Sequence, residues 1–294
     1  MIQDKVQASK SRIVIWDVGH GSSVSIKAPN GRTSMLDLGA NTETEFSPIK
    51  FTKSMWGYRL NHLTISHPHV DHIRDIPNLR LVELETLTAP DISGEELFAE
   101  RMEESNRDLL NAYLQLKRKY SNPIGANNDP SSPSWGGGGY FSYYSINADW
   151  LKEPNNASIV TFYKLGKFTL LYPGDIELRG WNELLKRRDF VQDLKTTCVF
   201  IASHHGREKG FSKEIVEVAA PLLVIISDSR FKDTSVTGSY SSLTTGFEVI
   251  NDNTGTKEDR KVVSTRADGR VIIDVSDSVT ETTATIRVKR TSSD

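Results

Sequence analysis

The chain has 294 residues, 37% hydrophobic and 25% charged, with 36 Lys and Arg against 38 Asp and Glu. That length can bury a sizeable core as one large domain or two small ones, and the near-neutral balance gives no global argument for nucleic acid while leaving a local basic groove open. No stretch approaches a membrane span and the first eleven residues are too polar for a signal peptide, so the expected location is cytoplasmic, with no membrane partner.

The apolar run over 12–16 predicts a buried strand, followed by the glycine turn Asp17-Val18-Gly19-His20-Gly21, which Asp17 is expected to cap. Alternation over 24–28, the turn signal Pro29-Asn30-Gly31, and the runs 35–39 and 61–65 predict three more strands, with His62 structural. Residues 93–120 carry leucines among charges at helical spacing. Residues 121–150 are polar and glycine-rich, yet hold Trp135, Tyr140, Phe141, Tyr143 and Tyr144. Such aromatic density argues against disorder and predicts a long functional loop. Its rings would stack single-stranded bases, pack on one another, or dock a protein partner or a second copy.

A hairpin is predicted from 158–165 and 168–172, ending at Pro173-Gly174-Asp175. A helix follows near 181–188, then a strand over 198–202 that runs into Ser203-His204-His205-Gly206. Cys198, the single cysteine, excludes an intrachain disulfide and is expected as a small buried hydrophobe. A helix over 212–219 and a strand over 222–226 come next. Strands over 262–265 and 271–275 flank a turn at Ala267-Asp268-Gly269, and 284–288 is expected as a last edge strand. The basic runs 117–119 and 186–188 read as solvated helix ends.

Of seven histidines, three fall within Ser66-His67-Pro68-His69-Val70-Asp71-His72, directly after an apolar strand, and two more are adjacent at His204-His205. Imidazole is the commonest neutral metal ligand near pH 7, and a carboxylate among histidines favours zinc or a similar divalent ion. His67 and His69, at alternate positions, can converge on one ion, while Asp71 and His72 point to a second. Two ions at roughly 3.5–4 Å need a shared anionic ligand. Asp175 is the natural candidate, and the pair His204-His205 would supply the closing nitrogen.

The pattern His67-x-His69-x-Asp71-His72, with Gly174-Asp175 and Ser203-His204-His205-Gly206, resembles the metallo-β-lactamase superfamily. Asp17-Val18-Gly19-His20-Gly21, Leu36-Asp37-x-Gly39, Asn156-x-Ser158 and Thr265-Arg266-x-Asp268-Gly269 resemble one branch of it, the hydrolase domain of the competence DNA-uptake protein ComEC and its stand-alone relatives. The resemblance covers most of the chain outside 83–150 and part of 233–259. It implies an α/β fold, an αββα four-layer sandwich, as one domain over 1–294 with a helical, glycine- and aromatic-rich insertion at 83–155. It implies up to two Zn or Mn ions at one sheet edge, bound by His67, His69, Asp71, His72, Asp175, His204 and His205. Hydrolysis would use a metal-bound or bridging hydroxide oriented by Asp71, with Asp37 supporting the histidine loop.

Three departures from the family carry expectations. Asn155-Asn156 stand where the family at large has a further histidine, so the first site is expected to be ligand-poor and weaker or manganese-tolerant, with Asn156 near it. His20 replaces the usual glutamine and would serve as a turn residue, a ligand or a donor to substrate phosphate. No histidine follows 222–226, so Tyr240, or whichever of His204 and His205 is free of metal, would protonate the leaving group. The expected activity is a metal-dependent phosphodiesterase or nuclease acting on DNA or RNA. Alternatives are hydrolysis of a small phosphodiester (a cyclic nucleotide or a phosphocholine-type ester) and a partner-binding subunit acting through the aromatic insertion. β-Lactam hydrolysis is least favoured.

Overall fold

The structure, a computed structural model, describes residues 8–91, 104–149, 152–228 and 236–290. Seventeen strands lie among them: β1 (Ser9–Ile15), β2 (Val24–Lys27), β3 (Thr33–Leu36), β4 (Arg59–Leu60), β5 (His62–Thr64), β6 (Glu83–Leu84), β7 (Leu87–Thr88), β8 (Tyr140–Tyr144), β9 (Val160–Leu165), β10 (Phe168–Tyr172), β11 (Val199–Ile201), β12 (Leu223–Ile226), β13 (Phe247–Asn251), β14 (Lys257–Arg260), β15 (Val262–Ser264), β16 (Arg270–Asp277) and β17 (Thr282–Lys289). Nine form one sheet in the order β14-β13-β17-β16-β1-β2-β3-β5-β7, six form a second in the order β15-β12-β11-β10-β9-β8, and β4 pairs with β6.

Side chains alternate across a strand, so each apolar run feeds two faces. Ile13, Ile15, Val24, Ile26, Val271 and Ile273 of the nine-stranded sheet meet Leu165, Phe168, Leu170, Tyr172, Val199 and Ile201 of the other in one buried cluster. The opposite face of the six-stranded sheet, with Phe162, Leu171, Phe200 and Val224, packs on Trp181, Phe190, Ile215 and Tyr240. Those four come from the helices Leu178–Leu185, Arg188–Leu194, Lys213–Ala219 and Thr237–Leu243. Behind the nine-stranded sheet, Met35 and Leu63 pack on Ile49, Ile73, Leu110 and Tyr113. Their helices are Pro48–Trp56, Val70–Ile73 and Glu104–Lys119. This is the αββα order expected from the resemblance.

The topology places the chemistry at one edge. β5 runs parallel to β3 and β7, and β10, β11 and β12 are parallel to one another. Loops that leave the carboxyl ends of neighbouring parallel strands gather together. The histidine loop follows β5, Asp175 follows β10, and His204-His205 follow β11. Ile159 N donates to Ser66 O at 2.9 Å, joining the histidine loop to the hairpin β9–β10.

Several expectations change. The aromatic segment is not a loop throughout, because Tyr140–Tyr144 pairs with β9 as the edge strand β8. Trp135 and Phe141 enter the core between the sheets, and Tyr144 packs on the helix side. Aromatic residues fit a pleated, half-buried surface, so composition that suggested a stacking platform is used for packing. The strand expected at 284–288 is β17 and is interior, since β13 pairs with it in parallel. The helix near 181–188 is two helices, and the turn at 267–269 is a short helix, Thr265–Asp268, capped by Ser264. Cys198 is half-buried just before β11, with its Sγ 3.4 Å from Lys167 O. The start of the helix expected over 93–120 lies outside the described residues. No helix among the described residues is long and apolar enough to cross a membrane.

Candidate metal centre

The histidine loop is held by a buried carboxylate. Asp37, just after β3, adopts φ 56 and accepts four hydrogen bonds. Ser66 N donates to Oδ1 at 2.6 Å, while Ser66 Oγ and Tyr172 OH donate to Oδ2 at 2.5 Å each and His72 Nδ1 lies 2.6 Å from Oδ2. A left-handed non-glycine residue persists where its surroundings over-determine it, and four donors do so here. Gly174, in the turn after β10, is left-handed at φ +58, and an added Cβ there would lie 2.7 Å from Ser66 Cβ. His204 and His205, at φ 50 and 55, are also left-handed. That strained turn sends the His205 ring inward.

Two groups of donor atoms result. Asp71, His72, Asp175 and His205 form one and His67, His69 and Asp175 the other, with all atoms of each group within 4.8 Å. In the first, His72 Nε2 is 3.2 Å from Asp175 Oδ1 and 4.0 Å from Asp71 Oδ2. His205 Nε2 is 3.2 Å from Asp71 Oδ2 and 3.6 Å from Asp175 Oδ2. Four ligands bonded tetrahedrally at ~2.0–2.2 Å would stand roughly 3.3–3.6 Å apart, which these separations bracket. In the second group His67 Nε2 faces His69 Nδ1 at 3.0 Å and Asp175 Oδ2 at 3.9 Å.

The protons decide what these contacts mean. His205 Nδ1 lies 2.9 Å from the carbonyl of Ser227, which only accepts, so Nδ1 carries the proton. Asp37 fixes His72 in the same way. Both Nε2 atoms therefore face carboxylate oxygens, and both are buried without a hydrogen bond. An imidazole nitrogen 3.2 Å from a carboxylate oxygen needs a cation between them, either a proton or a metal ion, and the residues present fit a divalent metal ion.

The electrostatics of the cluster favour positive charge between its carboxylates and rings. Burial alone would raise Asp71 and Asp175, but His72 and His205 outweigh it and hold both carboxyls well below the usual carboxylate range. Burial would depress His72 and His205, yet Asp175, Asp37 and Asp71 raise His72 well above its usual value and Asp175 and Asp71 raise His205, so each ring attracts a proton that a bound metal ion would displace. Burial keeps His67, His69 and His204 low, hence neutral and able to ligate.

The remaining predicted residues take varied places. His204 stands at the margin, with Nε2 3.9 Å from Asp175 Oδ2 and Nδ1 3.4 Å from Glu177 Oε1. His20 approaches Asp71 Oδ2 at 3.4 Å. Asn156 accepts from Glu177 N and Gly180 N at 3.0 and 3.1 Å, bracing the loop after Asp175. Tyr240 is fully buried in the helix layer, edge-on to Phe200 and Phe211, rather than at the ligand groups. Burial pushes its hydroxyl above the usual phenol value. Its spacing to Leu243 on one helix face was the signal for a core role. Ser66, Tyr172, Ser158, Ser227 and Arg207 were not singled out from the sequence. Ser158 Oγ accepts from Asp175 N at 3.0 Å and lies 3.3 Å from His67 Nδ1. The motif Asn156-x-Ser158 already contained it.

No family model matches the chain, and no curated protein matches it. Among solved structures, a diphosphatase of the PhnP family is similar at 11% identity and TM-score 0.46, covering 92% of this chain and 100% of that one. A diiron β-hydroxylase, CmlA from Streptomyces venezuelae, is similar at 13% identity and TM-score 0.45, covering 74% and 44%. A long form RNase Z from yeast is similar at 12% identity and TM-score 0.42, covering 77% and 39%. These proteins carry out unlike reactions, and at such identities none of them assigns an activity to this chain.

Proposed function

We propose that this protein is a metal-dependent hydrolase of phosphodiesters, with DNA or RNA as its substrate and two divalent ions, Zn or Mn, as its cofactors. The observation that carries this reading is Asp175, whose carboxylate belongs to both donor groups. A shared anionic ligand between neighbouring sites is what a two-metal phosphoryl-transfer centre needs. Asp71, His72, Asp175 and His205 would hold one ion, and His67, His69 and Asp175 the other. With three protein ligands against four, the latter is the weaker site. Bound metal would lower the pKa of water and offset charge that builds on the phosphoryl group.

The chain's own residues orient and desolvate. Asp37 fixes the His72 tautomer, Ser227 fixes that of His205, and Asp71, which is more exposed than Asp175, faces the incoming water. The ComEC-like motifs support a nucleic-acid substrate over a small diester. Burial of Trp135, Phe141 and Tyr144 removes much of the surface on which a partner-binding role rested. The test is metal-loaded protein incubated with labelled single- and double-stranded oligonucleotides and with bis(p-nitrophenyl) phosphate. Cleavage that is lost in Asp71→Asn supports the reading. Protein that holds its metal and leaves every one of these esters intact refutes it, and cleavage of the small ester alone moves the substrate to small diesters.

A further inference from the structure

The ligand groups are closed on most sides and open on one. The side chains of His72, His205 and Asp175 are 0%, 2% and 4% exposed, whereas those of His20, Asp71 and His204 are 31%, 18% and 11% exposed. A substrate therefore reaches the carboxylates between His20 and His204. Arg207 spans that opening. Its Nη2 lies 3.3 Å from His20 Nε2 and its Nη1 3.4 Å from His204 Nε2.

A guanidinium is always charged and only donates. Its two contacts here are ring nitrogens, and among the described residues Arg207 forms no ion pair with a carboxylate. A planar fork of donors is left half-buried at the mouth of the centre, placed there by the same left-handed turn that points His205 inward.

We propose that Arg207, together with His20, binds a non-bridging oxygen of the substrate's phosphoryl group, which makes this rim the determinant for anionic phosphate esters. The inference rests on the hydrolase reading above and deepens it. An oxyanion at this opening supplies the guanidinium with a charged acceptor beside the His20 ring, and guanidinium–phosphate pairing is bidentate and charge-assisted.

The test compares Arg207→Gln and Arg207→Lys with wild type on two probes that share a leaving group, anionic bis(p-nitrophenyl) phosphate and its neutral methyl triester. Titration calorimetry of inorganic phosphate into the metal-loaded proteins runs alongside. Arg207→Gln is expected to raise KM for the diester roughly 10–100-fold, to impair the triester, whose phosphoryl oxygen is uncharged, much less, to leave the metal content unchanged, and to weaken phosphate by a factor similar to that for the diester. Arg207→Lys should restore part of the loss. Equal loss on both esters, or phosphate affinity that is the same in wild type and Arg207→Gln, overturns the proposal. If wild type cleaves no diester yet loses phosphate binding in Arg207→Gln, the hydrolase reading fails and the phosphate site stands.

Discussion

Replacing Asp37 by asparagine perturbs the centre without touching a ligand. Three donors converge on Asp37 Oδ2 and the Ser66 N–H on Oδ1, all within 2.6 Å. An asparagine keeps the three only by turning its amide NH2 onto the Ser66 N–H, a backbone donor that cannot rotate away. One buried donor left without an acceptor costs about 1–3 kcal/mol, against roughly 5–15 kcal/mol for a whole domain, so Asp37→Asn should fold. Alanine would orphan all four donors at about 4–12 kcal/mol on the same scale, which is why it is the poorer test. The neutral amide also weakens the bond that keeps the His72 proton on Nδ1 and its lone pair on the ligand side. Loss of such a supporting partner lowers metal affinity ~10–100-fold, about 1.4–2.7 kcal/mol. The assay is competition of zinc between the protein and a chromophoric chelator, with thermal unfolding of the metal-free protein alongside. Folded Asp37→Asn that binds every ion as tightly as wild type would refute the argument.

Asp175→Ala should lower metal content at both sites and His69→Ala at the weaker one alone; elemental analysis that finds equal content in the two variants counts against a shared ligand. His62 is buried, and burial depresses its pKa to about 3 from 6.5, so the folded state stays neutral while the unfolded chain takes up a proton. Its contribution is constant above pH 6.5 and turns destabilising as pH falls toward 3, by about 2 kcal/mol at pH 5; a His62→Gln variant whose stability falls as steeply as wild type from pH 7 to 5 contradicts this. Gly174→Ala combines a left-handed backbone with a 2.7 Å approach to Ser66. It should cost at least ~1–2 kcal/mol, read as a lower melting temperature.

Much of the candidate ligand set was legible because metal chemistry restricts residue type and the loop is short, so His67, His69, Asp71 and His72 had to be neighbours wherever the chain went. The apolar run over 12–16, the alternation over 24–28 and the hairpin pattern over 158–172 likewise announced β1, β2, β9 and β10. The hairpin β13–β14 was not legible, since Lys257–Arg260 is wholly polar and is a strand only because β13 finds β17 beside it. The aromatic run around Phe141 had the same composition for stacking or for packing. Burial between two sheets decided it.

What the sequence by itself determined is the inventory: seven histidines, five of them in two clusters, with carboxylates at the ends of apolar strands. Only the tertiary structure decided which ring nitrogens face the carboxylates. Tyr172 reaches Asp37 across 135 positions of sequence, and the contact between Arg207 and His20 spans 187. Such separations leave no periodicity to read. The two sheets bring them together by burying their apolar faces, and the side chains at the shared edge follow.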